Sequence, residues 1–109
     1  MHILFVCSRN RWRSLTAEKI FNGVNGNEVR SAGTEENARI RVTAGLIGWA
    51  DWILTMERKH VRRLKEKFPQ ALQGKRLICL DIPDEFGYMD EALIGLLESS
   101  VSVYVDLYN

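Results

Sequence analysis

The stretch that decides the fold is residues 3–14, which read ILFVCSRNRWRS. Its first four residues, Ile3 to Val6, form a continuous apolar run, which is typical of a strand buried on both faces of a parallel sheet. A polar loop follows from Ser8 to Arg13. Apolar residues then recur at helical spacing, at Ala17, Ile20, Phe21 and Val24. The segment therefore predicts a buried strand, a loop and a helix.

Similar segments alternate along the rest of the chain. Further strands are predicted at Glu28–Ser31, Trp52–Leu54 and Leu77–Leu80, and further helices over residues 43–50, 58–68 and 89–97. The last ten residues, 100–109, fit both periodicities, and we favour a helix. This order predicts one domain over residues 1–109, an α/β fold with three α/β/α layers and a four-stranded parallel sheet. Ligands of such folds bind beyond the carboxyl ends of the strands, so we expect the chemistry in the loop after the first strand.

The composition narrows the class of protein. A net charge of +1 does not indicate a nucleic-acid or membrane partner. The two cysteines, Cys7 and Cys79, are too few for a disulfide framework and lack metal-ligand spacing. No secretory signal is visible, and no apolar run approaches the ~20 residues that span a bilayer. We therefore expect a cytoplasmic protein whose cysteines remain free thiols.

The loop from Cys7 to Ser14 has a pattern suited to binding an anion. Backbone N–H groups converge in a tight loop that enters a helix, and the helix dipole adds positive potential there. Cys7 would lie in that field, which favours a thiolate, and Arg13 could bind two phosphoryl oxygens. Ser14 could donate its hydroxyl to the sulfur. The alternative is a cysteine packed as a small hydrophobic side chain and a solvated arginine, and the pattern alone leaves both open.

Four segments in the same order resemble one family. Residues 5–18 are similar to the V-C-x-G-N-x-C-R-S-P-x-A-E motif of low-molecular-weight protein tyrosine phosphatases. Residues 31–34 resemble that family's S-A-G-T, residues 51–56 its D-x-I-L-x-M, and residues 82–86 the I-P-D-P-[YF] of its bacterial members. Together the matches extend from the first strand to Phe86. The resemblance implies a protein tyrosine phosphatase that works without metal or cofactor through a phosphocysteine intermediate.

The resemblance also implies roles for individual residues. Cys7 would be the nucleophile, Arg13 would bind the phosphoryl oxygens, and Asp84 would act as general acid and then as general base. Phe86 would form an aromatic wall against the substrate. The residues that bind phosphate or support the loop would be Ser8, Arg9, Asn10, Arg11, Trp12, Ser14 and Ser31. Asn10, Ser14 and Ser31 are expected to share one hydrogen-bond network.

Several alternatives stay open. Asp81 is a rival to Asp84 as the general acid. An arsenate reductase would need a second cysteine, for which Cys79 is the candidate. A non-catalytic phosphate or nucleic-acid binder would use Arg9, Trp12 and the basic helix with His60. The substrate could be a protein with phosphotyrosine or phosphoarginine or a small phosphomonoester, and we expect a monomer or weak dimer that binds neither nucleic acid nor membrane.

The chain departs from the family pattern in four places. Arg9 replaces a glycine, which predicts strain or a different loop path if that residue has φ > 0. Trp12 replaces a cysteine that commonly protects the nucleophile as a disulfide. Arg11 replaces an apolar wall residue, so the pocket should favour an acidic ligand. The segment between Thr34 and Thr43 is short and lacks the family's histidine, which predicts an open, shallow pocket.

Overall fold

The computed structural model describes residues 1–105, in which four strands and four helices alternate. The strands are β1 (His2–Cys7), β2 (Glu28–Gly33), β3 (Trp52–Thr55) and β4 (Arg76–Cys79). The helices are α1 (Arg13–Phe21), α2 (Ala44–Trp49), α3 (Arg58–Lys67) and α4 (Glu91–Val101), with a short 3-10 turn at Val24–Gly26. None of the helices within residues 1–105 is long and apolar enough to cross a bilayer.

The four strands form one parallel sheet in the order β2-β1-β3-β4. β1 is central, and Ile3 pairs with Val29 of β2 on one side and with Trp52 of β3 on the other. Because β1 pairs with both neighbours, its carboxyl end lies between those of β2 and β3. The predicted α/β fold with a four-stranded parallel sheet is confirmed.

The side chains of β1 alternate between two hydrophobic cores. Ile3 and Phe5 pack on the face covered by α1 and α4, with Phe21, Leu93 and Leu97 among their neighbours. Leu4 and Val6 pack on the other face, with Ile47 of α2 and Leu64 of α3. Since helices cover both faces, none of these four β1 side chains is exposed. The apolar run from Ile3 to Val6 is continuous because both faces of β1 are buried.

Two element ends differ from the sequence prediction. α1 ends at Phe21 and does not reach Val24, because Gly23 takes the left-handed conformation at φ +85°. The helix favoured over residues 100–109 is present only at residues 100 and 101, and the prediction is wrong for residues 102–105. α4 ends at Val101, residues 102–104 form a turn, and residues 106–109 lie outside the described part of the chain.

Candidate active site

The loop between β1 and α1 is held to the end of β2 through its carbonyl groups. The carbonyl oxygens of Cys7, Ser8 and Arg9 accept hydrogen bonds from the backbone N–H groups of residues 34, 35 and 39, at 3.0, 3.0 and 2.9 Å. Within a trans peptide the N–H points away from the preceding C=O. The N–H groups of residues 8, 9 and 10 therefore face the opposite side of the loop, where the Cys7 sulfur lies.

Two donors hold the sulfur of Cys7. The backbone N–H of Asn10 donates to Sγ over 3.2 Å, and Ser14 Oγ lies 2.9 Å from Sγ. Because Asn10 Nδ2 donates to Ser14 Oγ over 2.8 Å, the single Ser14 proton is free to point at the sulfur. The other acceptor within reach, the carbonyl of Ala32, is farther away at 3.4 Å. This arrangement stabilises negative charge on Cys7.

The left-handed residue of the loop is Asn10 and not Arg9. Asn10 has φ +56°, and asparagine is among the residues that tolerate this region best. Arg9 does not have a positive φ. The backbone strain predicted for Arg9 is therefore absent. The residue with positive φ in this turn is the next one, Asn10.

Arg13 begins α1 and is almost completely buried, with 2% of its side chain exposed. Its Nη1 donates to Glu57 Oε2 over 2.6 Å and to the carbonyl of Ile82 over 2.8 Å. Its Nε lies 3.7 Å from Asp84 Oδ1. One edge of the guanidinium is thus held by the protein, and Arg13 also lines the cavity that contains Cys7.

The first turn of α3 supplies the groups that hold this arrangement. Glu57 caps α3, and burial raises its pKa while the hydrogen bond and charge of Arg13 lower it by more, so that the net pKa is below its usual range. His60 is completely buried. Its Nδ1 accepts from the Glu57 backbone N–H at 3.0 Å, and its Nε2 lies 3.0 Å from Ser8 Oγ. Burial, and next the charge of Arg13, lower the pKa of His60 to about 4, so the ring is neutral at pH 7.

A cavity of about 330 Å³ lies over the loop. Its lining residues are Cys7, Ser8, Arg9, Arg11, Trp12, Arg13, Glu35, Lys59 and Asp84. Four of these are cationic and two are carboxylates, and one carboxylate, Glu35, accepts from Arg9 Nε at 3.2 Å. Trp12 is 50% exposed and provides the aromatic surface. The cavity therefore suits an anionic ligand that carries an aromatic group.

The two candidate acids lie in different places. Asp84 lines the cavity beside Arg13, and its side chain is 54% exposed. Asp81 has φ +55° and accepts a hydrogen bond from Cys79 Sγ at 3.4 Å. It borders a separate surface depression with Arg62 and Pro83. Of the two, Asp84 is the one that lines the cavity with Cys7 and Arg13.

Two residues expected at the site lie outside it. Ser31 Oγ donates to Glu18 Oε1 over 2.7 Å, so Ser31 links β2 to α1 and not to the Asn10–Ser14 network. Phe86 is half-buried against the core formed by α1 and α4, and it is not among the residues that line the cavity. The substrate-wall role predicted for Phe86 gains no support, because the loop between β4 and α4 packs its ring against the core. Trp12 has the position of an aromatic wall instead.

Gly33 allows the close contact between β2 and the loop. A Cβ at this position would lie 2.5 Å from the carbonyl oxygen of Ser8 and 2.7 Å from the Ala38 Cβ. Only glycine leaves room for this contact. The glycine in the Ser31–Thr34 motif is therefore required by the close approach of the loop between β1 and α1.

Sequence reasoning missed Glu35 and Glu57, and it considered Lys59 and His60 only as part of the basic helix of a non-catalytic binder. Their position along the chain carried a signal. Glu35 follows the end of β2, and the other three follow the end of β3. Since the carboxyl ends of parallel strands meet at one edge of a sheet, polar residues just after β2 and β3 lie near the loop after β1.

Comparison with known proteins finds a family resemblance in the first half of the chain. Residues 2–50 match the family model described as low molecular weight phosphotyrosine protein phosphatase. No curated protein matches the chain.

Solved structures of similar fold include the tyrosine phosphatase Wzb from Escherichia coli K30 in complex with phosphate. It is 21% identical, with a TM-score of 0.77 and 94% of each chain covered. Wzb from Vibrio vulnificus in complex with benzylphosphonate is 22% identical, with a TM-score of 0.74 and 94% of this chain and 95% of that chain covered. The YwlE arginine phosphatase from Geobacillus stearothermophilus is 24% identical, with a TM-score of 0.71 and 94% and 86% covered.

The matched segment contains the whole loop from Cys7 to Ser14 and the β2 glycine that packs against it. The remainder of the chain completes the same fold and brings Glu57 and Asp84 to Arg13. Residues 2–50 thus resemble the low-molecular-weight phosphotyrosine protein phosphatase family, and the whole chain has the fold of these solved phosphatases.

Proposed function

We propose that this protein is a protein tyrosine phosphatase, a phosphomonoester hydrolase that uses Cys7 as its nucleophile. The observation that carries the proposal is the position of the Cys7 sulfur. It receives the Asn10 N–H and the Ser14 hydroxyl, and it shares a cavity with the guanidinium of Arg13. A sulfur stabilised as an anion beside a cation suits attack on a bound phosphoryl group.

The reaction takes place in two transfers. The Cys7 thiolate forms an S–P bond while the P–O bond to the leaving group breaks, and Asp84 gives its proton to the leaving oxygen. Water then attacks the phosphocysteine, and the Asp84 carboxylate accepts a proton from that water. The S–P bond breaks and returns the thiolate to the Ser14 hydroxyl and the Asn10 N–H. Arg13 and the loop amides bind the phosphoryl oxygens in both steps.

The cavity favours phosphotyrosine over phosphoarginine. Arg11 and Lys59 line it, and a phosphoarginine substrate would bring a further guanidinium group against these cations. A phosphotyrosine ring could instead lie against the indole of Trp12, which also lines the cavity. Acidic residues next to the phosphotyrosine would be attracted to Arg11 and Lys59. The preferred substrate is thus a phosphotyrosyl protein with neighbouring acidic residues.

Arsenate reduction is not favoured, because the second cysteine is unsuited to resolve the first. Burial raises the pKa of the Cys79 thiol, which already donates to Asp81. A thiol with a raised pKa provides little thiolate at neutral pH.

A reducing compartment suits this mechanism, since Cys7 must stay a free thiol. We therefore infer a cytoplasmic protein. That it works as a monomer or weak dimer is a separate part of the proposal.

Turnover of p-nitrophenyl phosphate by the unsubstituted protein and by Cys7→Ser tests the proposal. We expect the unsubstituted protein to hydrolyse this substrate and Cys7→Ser to lose at least about a thousandfold in kcat. Cys79→Ser is the matched control and should retain full activity. Binding of phosphotyrosyl peptide without turnover by the unsubstituted protein would overturn the enzymatic proposal and identify a binding module instead.

A further inference from the structure

The ring of His60 has both nitrogens engaged in the completely buried contact between α3 and the phosphate-binding loop. Its Nδ1 accepts from the backbone N–H of Glu57, at 3.0 Å. A neutral imidazole has one donor and one acceptor nitrogen, so the ring proton lies on Nε2. Nε2 therefore donates to Ser8 Oγ over 3.0 Å. The capping of α3 thus determines the tautomer that faces the loop.

This tautomer determines where the Ser8 hydroxyl can point. A hydroxyl that accepts from His60 must direct its own hydrogen elsewhere, because a hydroxyl has only one. His60 is the partner of Ser8 Oγ in the described part of the chain, and Ser8 lines the cavity directly after Cys7. We infer that Ser8 donates its hydroxyl hydrogen to the phosphoryl group bound in this cavity, and that His60 is the positioning residue that orients it. The inference rests on the proposed function and adds a side-chain donor to the loop amides.

The surroundings of His60 preserve this arrangement at neutral pH. The charged groups that face the ring are Arg13 from α1 and Glu57, Lys59 and Arg63 from α3. Three of the four are cations, which disfavour a second proton on the ring. A protonated ring would lose the acceptor for the Glu57 N–H, and the tautomer would no longer be fixed. The neutral ring is the state that orients Ser8.

A double-mutant cycle measured on the binding of inorganic phosphate tests the inference. The variants are Ser8→Ala, His60→Asn and the two combined, and the dissociation constant of phosphate is measured by calorimetry at pH 7. Asparagine can still accept from the Glu57 N–H but is too short to reach Ser8. Since one neutral hydrogen bond is at stake, each single variant should bind phosphate roughly 3- to 10-fold more weakly.

The combined variant decides between positioning and a merely structural role. If His60 acts through Ser8, the double variant binds phosphate no more weakly than the weaker single variant. If the two effects multiply, or if His60→Asn binds phosphate like the unsubstituted protein, the inference is overturned. Arg62→Gln, an exposed change on the same helix, is the control and should leave the phosphate affinity within twofold.

A second pair of variants tests the inference even if the His60→Asn variant does not fold. Ser8→Thr keeps a hydroxyl and should retain the phosphate affinity, whereas Ser8→Ala should bind phosphate roughly 3- to 10-fold more weakly. Equal affinities for Ser8→Thr and Ser8→Ala would contradict a donating hydroxyl. Because binding is measured without turnover, this result is separate from the phosphatase proposal, which fails only if the unsubstituted protein does not hydrolyse phosphomonoesters.

Discussion

Arg13 and Glu57 form a largely buried ion pair that joins the first turn of α1 to the first turn of α3, with 2.6 Å between Nη1 and Oε2. The guanidinium is 2% exposed and the carboxylate 30% exposed. A buried guanidinium without a carboxylate is strongly unfavourable, so the pair holds Arg13 in one orientation. That orientation keeps the free edge of the guanidinium available to the cavity above Cys7. The contact is made by residues 44 positions apart in the sequence.

Replacement of Glu57 tests this relationship. In Glu57→Gln the amide oxygen can still accept from Arg13, but the charge is lost. We expect kcat/KM for p-nitrophenyl phosphate to fall about tenfold, the cost of weakening one charge-assisted hydrogen bond. Steady-state kinetics measure this, with Glu66→Gln, an exposed change later in α3, as control. Unchanged kinetics in Glu57→Gln would show that Arg13 does not depend on this carboxylate.

Asp84→Asn should reveal the general acid. Without a proton donor, kcat/KM should fall by about a hundredfold for aryl phosphates with poor leaving groups. It should fall much less for aryl phosphates with good leaving groups. A plot of kcat/KM against the pKa of the leaving phenol measures this, and its slope should become steeper in Asp84→Asn. Asp81→Asn is the matched control and should keep the slope of the unsubstituted protein. A steeper slope in Asp81→Asn alone would assign the role to that residue.

Gly33→Ala should damage both stability and activity. The added methyl group would lie 2.5 Å from the Ser8 carbonyl oxygen and 3.0 Å from the Arg9 carbonyl carbon, and these backbone atoms cannot adjust easily. We expect a loss of about 2 kcal/mol in the free energy of unfolding and a lower kcat/KM, because the phosphate-binding loop must shift. Gly48→Ala, where a Cβ has nothing within 4 Å, should be neutral or stabilising. Equal stability of the two variants in urea unfolding would contradict the close contact at Gly33.

The stability of the protein should fall as the pH is lowered from about 6.5 to 4. The pKa of His60 is about 4 in the folded protein and 6.5 without the protein environment. Between these values the unfolded chain binds a proton that the folded protein does not, so acid favours unfolding. The contribution of His60 is fully present above pH 6.5 and is lost as the pH approaches 4, with a slope of up to about 1.4 kcal/mol per pH unit.

Urea unfolding between pH 7 and pH 4 measures this slope. The His60→Asn variant cannot titrate at this position and should show a shallower dependence than the unsubstituted protein. Identical slopes for the two proteins would mean that His60 is not held neutral by the fold.

Much of the fold could be predicted from local patterns. The apolar run in β1 predicted a strand buried on both faces, and the spacing of Ala17 and Phe21 predicted the helix after the loop. The end of α1 was less predictable, because it depends on which glycine adopts the left-handed backbone conformation that ends the helix. Ser102 to Tyr104 leave the helix although their pattern fits one. Val101 and Val105, on either side of this turn, are both buried in the core, so tertiary packing and not the local pattern decides the path of this segment.

The candidate site could be predicted only in part from local sequence patterns. Cys7, Arg13 and Ser14 lie close together in the sequence, and their spacing across a strand, loop and helix predicted their convergence. Asp84 could be placed only through its resemblance to a motif. Phe86 was misplaced because whether its ring faces the core or the cavity depends on the path of a loop, and no periodicity encodes that path.

The sequence by itself determined the order of strands and helices and the loop that carries the nucleophile, because periodicity and turn residues act over a few positions. Only the tertiary structure brought Glu57 to Arg13, His60 to Ser8 and Gly33 against the loop. These contacts depend on β1 lying between β2 and β3, so that the ends of three parallel strands meet at one edge. Local sequence patterns carry no information about which strands become neighbours.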